Sequence, residues 1–144
     1  VSLDLKKKKK SIHHLMRVRQ FDFETESRKL SEIRVQISNQ KKNLDLLQNQ
    51  YLLSVDKLNQ ARFAQNVWEE KLLMSGSEFY KKDWIRTLKK IKDLDFLLNI
   101  QIKKVIECQN NLKVSEKLYE KISEEEKKEL ERKEQNQMDD LGRL

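Results

Sequence analysis

The chain has 144 residues, of which 38% are charged and 7% aromatic, with two glycines, one cysteine and no proline. This composition excludes a domain held by internal disulfides and leaves almost nothing to interrupt a helix, since glycine and proline are the main breakers. The formal net charge of +7 raises nucleic acid and anionic surfaces as partners. Basic and acidic segments are separated along the chain, however, so much of that charge can pair internally.

Residues 1–10 read as a flexible basic tail. Five consecutive lysines at 6–10 repel one another, and no apolar stripe runs through them. Removing this segment should cost little stability.

A first helical arm is predicted over 11–74. Every seventh residue from 16 to 58 is apolar: Met16, Phe23, Leu30, Ile37, Leu44, Tyr51 and Leu58. A seven-residue repeat held over several turns marks a coiled coil. The companion series is mixed, with Ile33, Leu47 and Ala61 apolar but Arg19, Glu26, Gln40 and Ser54 polar. Such a half-polar seam predicts a modestly stable coiled coil whose register is fixed by its polar layers.

The reversal is predicted at 75–77, Ser75-Gly76-Ser77. Gly76 suits the left-handed position after a helix end, and Ser75 or Ser77 suits the next N-cap. The second arm then spans 78–140. Its seventh-residue series is Trp84, Ile91, Leu98, Val105, Leu112 and Tyr119. The expected fold is all-α: a long antiparallel two-helix coiled-coil hairpin over 11–144, each arm about 90 Å long at the helical rise.

Such a hairpin offers no cleft, so the chain is read as non-enzymatic. It carries no phosphate-binding glycine loop and no zinc-protease motif. The adjacent His13 and His14 diverge by about 100° on a helix and cannot chelate one metal together. No metal and no cofactor is expected. A basic zipper would need its cationic run to continue into a parallel seam, so nucleic acid is an unlikely partner. No apolar run approaches the roughly 20 residues that span a bilayer. Cys108 reads as a small apolar residue beside the seam of a reduced protein.

Three stretches resemble one family. The opening Leu15-Met16-Arg17-Val18-Arg19 is similar to its leucine-x-x-valine-arginine entry. Residues 80–91, with Trp84-Ile85-Arg86-Thr87-Leu88, are similar to the aromatic, Thr-Leu start of its second long helix. The run from Glu116-Lys117-Leu118 to Glu134-Gln135-Asn136-Gln137-Met138-Asp139-Asp140 resembles its closing pattern. The family is that of the FliJ-type flagellar export proteins. The likeness spans nearly the whole length. It departs at Asp140, where the family favours Glu, and at the five-lysine run.

The resemblance implies a cytoplasmic stalk of the flagellar type III export apparatus, peripheral to the inner membrane through its partners. Those partners would be the hexameric export ATPase, the cytoplasmic domain of the export gate and, for some members, export chaperones. It implies ATPase-ring contacts at Met16, Val18, Leu130, Met138, Asp139 and Asp140. Gate contacts would fall at Trp84, Leu88 and Ile91. Trp84 and Ile91 also belong to the seven-residue series and can serve the seam instead; Leu88 lies off it. The alternatives are the stalk of a virulence type III secretion system and a generic coiled-coil tether or chaperone.

Overall fold

The computed structural model describes residues 2–143. They form two α-helices, α1 (Leu3–Phe63) and α2 (Val67–Gly142), packed as an antiparallel hairpin, with no strand among the described residues. Helix α1 begins earlier than expected. Ser2 is its N-cap, its Oγ accepting the Leu5 N–H at 3.1 Å while its carbonyl accepts the Lys6 N–H at 3.1 Å. The lysine run is therefore helical rather than an irregular tail.

The reversal is at Ala64-Gln65-Asn66, not at 75–77. Gln65 stands in the left-handed region with φ of 58°. The Asn66 N–H donates to the Ala61 carbonyl at 3.0 Å and the Gln65 N–H to the Arg62 carbonyl at 3.2 Å. These two bonds make a Schellman ending without the usual glycine. Asn66 then caps α2: its Oδ1 accepts the Glu69 N–H at 3.2 Å, and its Nδ2 donates to Glu69 Oε2 at 3.1 Å. Arg62 Nε donates to Glu70 Oε1 at 3.2 Å across the turn. Gly76 lies inside α2 without a positive φ. A glycine there costs about 0.5–1 kcal/mol relative to alanine, which the flanking helix and its seam absorb.

Two compact units divide the hairpin. The terminal unit joins the first 28 residues to those from Ile102 onward; the turn unit is 29–101. In the turn unit the covered positions of α1 step by threes and fours through Leu30, Ile33, Ile37, Gln40, Leu44, Leu47, Tyr51, Ser54, Leu58 and Ala61. The same rhythm in α2 takes in Leu73, Ser77, Tyr80, Trp84, Thr87, Ile91, Leu94, Leu98 and Gln101. Tyr51 and Trp84 meet with ring centroids 5.9 Å apart, which sets the register. Burying a Leu or Ile side chain stabilises by about 1.5–3 kcal/mol, and Leu30, Ile37, Leu47, Leu58 and Ile91 are buried here.

In the terminal unit the covered positions on α1 include Leu5, Lys9, Ile12, Met16, Arg19, Phe23 and Glu26. Facing them on α2 are Val105, Cys108, Leu112, Ser115, Tyr119, Ile122, Glu126 and Glu129. The seam is thus both apolar and charged, as its second series predicts. Lys9 Nζ lies 3.3 Å from Glu126 Oε2, an ion pair off the hydrogen-bonding direction, and 5.5 Å from the centroid of Tyr119. Arg19 Nη1 donates to the Asn111 carbonyl at 2.8 Å. Ser115 is fully buried, its Oγ donating to the Leu112 carbonyl at 2.7 Å. Ser54, Ser77 and Thr87 likewise donate to carbonyls of their own helix three or four residues back. Each hydroxyl is satisfied locally, so a small polar residue fits the seam without an unpaired group.

Candidate functional site

The residues implied as gate contacts lie in the turn unit but not on one surface. Ile91 is buried, 9% exposed, and Trp84 is half-buried against Tyr51. Both serve the seam. Leu88 is 46% exposed and is the one of the three open to a partner.

The residues implied as ring contacts lie in the terminal unit and are spread along it. Met16 is a half-buried seam residue; Val18 and Leu130 are exposed. Met138, Asp139 and Asp140 sit beyond the last covered seam position, Glu129, where α2 is exposed all round. Stepping by sevens from the Lys9–Glu126 pair puts Met16 level with Tyr119. Met138 is then about 28 Å further along α2 at 1.5 Å per residue. The six residues therefore form no single patch; a partner touching all of them would have to run along the arms.

The basic segment forms its own surface in the same unit. Lys6, Lys10 and His13 line an open groove of about 300 Å³ with Lys9, Tyr119 and Glu126. The His13 and Tyr119 rings are 5.9 Å apart. Glu126 neutralises part of this charge, consistent with basic and acidic arms lying side by side.

Cys108 is half-buried on the seam. Burial, and then the carboxylates of Glu26, Asp22 and Glu107, push its thiol above its ordinary pKa. A thiol so placed is held protonated and is a poor nucleophile. Among the described residues no group of three or more His, Cys, Asp or Glu is placed to hold a metal ion, and no helix is long and apolar enough to cross a membrane.

The largest exposed apolar features are ones the heptad series passes over. Phe63 is 93% and Trp68 81% exposed beside the turn, with Val67, Leu72 and Phe79 also open to solvent. All lie off the seam rhythm. Apolar residues out of phase with a heptad are the sequence signal for such a surface; taking Gly76 as the turn hid it by assigning 67–74 to the wrong arm. No protein-family model matches the chain, and neither a curated protein nor a solved structure is significantly similar to it.

Proposed function

We propose that this chain is a non-enzymatic, cytoplasmic stalk of a flagellar type III protein export apparatus. The terminal unit seats in the hexameric export ATPase and favours its assembled, active state, while the turn unit reaches the cytoplasmic domain of the export gate. The observation that carries this reading is the hairpin itself: two long helices packed against each other within each unit, in the arrangement that the resemblance at 15–19, 80–91 and 116–140 implies. The exposed Leu88 supplies an apolar gate contact, and the exposed end of α2 with Leu130, Met138, Asp139 and Asp140 supplies a ring contact. A ligand that binds only the assembled ring stabilises it by mass action, so stimulation requires no nucleotide site and no cofactor on the stalk.

The test is ATP turnover by the purified cognate export ATPase with the full chain or with a chain lacking 130–144. The full chain raises turnover and hexamer formation, and the truncated chain does neither. In parallel, Leu88→Asp weakens binding to the gate domain while helix content is unchanged. Equal stimulation by the truncated chain would overturn the ring assignment and leave a tether or chaperone role. Stimulation of a virulence-system ATPase in place of the flagellar one would move the stalk to that apparatus.

A further inference from the structure

Gly76 has no role that its own chain explains. It sits within α2, has no positive φ, and a Cβ added to it meets nothing within 4 Å. Alanine would fit and would favour the helix. Gly76 lines an open recess of about 320 Å³ between α1 and α2, together with Ser54, Tyr80, Leu53 and Leu72. Leu53 and Leu72 are exposed. One turn beyond, Phe79 projects from the same side, its ring edge-on to Tyr80 at 5.9 Å. A single face therefore carries both an apolar recess and apolar projections, which isolated surface leucines do not.

The rims of this recess differ in charge. On α1 the rim residue is Lys57. On α2 Gly76 lies midway between Glu69 and Asp83, seven residues to either side on one row of the helix. Glu69 Oε2 accepts from Asn66 Nδ2, and Asp83 reaches Arg86 Nη1 at 3.7 Å, a solvent-screened pair that leaves carboxylate oxygens open to a further cation. Recess, projections and rims of both signs on one face are the features that an isologous, two-fold contact requires.

We propose that a second copy of this chain docks on this face, giving a four-helix bundle through the turn units. A two-fold axis along the arms sets α1 of each copy against α2 of the other, so that facing neighbours remain antiparallel. Phe79 and Leu72 of one copy lie against Leu53 of the other. The Lys57 stem crosses the other copy's Gly76, and its ammonium falls between the acids that flank it. The glycine is the site of close approach, and any side chain there fills the seat. The inference stands apart from the stalk reading, since it needs no ATPase and no gate.

Sedimentation equilibrium of the full chain, from micromolar to near-millimolar, tests it. The expected result is a reversible monomer–dimer equilibrium. Gly76→Leu should raise the dimer Kd by about tenfold or more without lowering the melting temperature of the monomer, because the recess is open within the chain. Lys57→Glu should also weaken the dimer, and combining it with Asp83→Lys should restore it. A chain monomeric at every concentration overturns the proposal. So does a dimer indifferent to both Gly76→Leu and Lys57→Glu, which would place its interface elsewhere.

Discussion

Two substitutions make the position of the chain reversal a question of sign. Gly76→Ala places a methyl group where nothing lies within 4 Å, in the interior of α2. It should stabilise by about 0.8–1 kcal/mol, the helix-propensity difference between the two residues. Gln65→Gly acts at φ of 58°. It relieves about 1–2 kcal/mol of left-handed strain and gives back about 0.4–1 kcal/mol through the looser unfolded chain. The net gain is about 0.5–1 kcal/mol, and the two sites share no partner, so their effects should add. For a chain of this size each kcal/mol moves the melting temperature by about 3 °C, so the double variant should melt about 5 °C higher. The assay is thermal melting by far-ultraviolet circular dichroism, run dilute enough to keep the chain monomeric. Were the reversal at Gly76, alanine would be forced into a left-handed conformation and the melting temperature would fall. A lower melting temperature for Gly76→Ala, with no gain from Gln65→Gly, would refute the Schellman turn at 64–66.

Asn66→Ala removes the side-chain acceptor of the Glu69 N–H and should cost about 1 kcal/mol, seen as a lower urea midpoint at unchanged m-value. Deleting residues 1–10 removes the half-buried Leu5 and the Lys9 partner of Glu126; it should cost about 1–3 kcal/mol, read as a clear drop in melting temperature rather than the negligible change expected of a tail. Cys108 has its thiol pKa raised by burial and by Glu26, Asp22 and Glu107. The folded chain therefore holds this proton where the unfolded chain has begun to lose it. The stability this contributes is complete below about pH 8.5, the unfolded value, and is lost as pH rises through the folded value. The urea midpoint of the parent should thus fall more steeply above that pH than that of Cys108→Ala, and alkylation of the native thiol should be slow compared with the unfolded chain.

The fold class was legible because the seam is written in two interleaved series. Apolar residues at sevens from Met16 to Leu58 and from Trp84 to Tyr119 occupy covered positions along both helices. The polar companions Arg19, Glu26, Gln40 and Ser54 are covered as well, as the continuing rhythm requires. The turn was misplaced because glycine is the strongest local breaker and position 65 is glutamine. A tight reversal needs one left-handed residue, and a non-glycine residue can supply it when two Schellman bonds and an asparagine cap follow. The usable signal was Asn66-x-x-Glu69 together with the end of the first series at Leu58. The basic tail was misread because like charges count against a helix in isolation, whereas here Ser2 caps it and Leu5 and Lys9 dock on α2. Of the implied contacts, Trp84 and Ile91 share the heptad phase of the seam, so their spacing alone could not separate adhesion within the chain from adhesion to a partner. Leu88, out of phase, stays exposed.

The brevity of the reversal has a consequence for how such a chain can change length. With only Ala64, Gln65 and Asn66 between the helices, neither arm can slide to make up for a lost residue. Deleting one residue within an arm rotates everything beyond it by about 100°, turning covered side chains outward and charged ones in. Deleting seven from α1 restores the phase but leaves seven more residues of α2 unopposed, whereas seven taken from α2 are made up by the exposed end of α2 past Glu129. Paired excisions of seven, at matching levels on the two arms, preserve both the phase and the length match. A chain shortened by fourteen residues in this way should therefore keep its seam where a chain shortened by one residue does not.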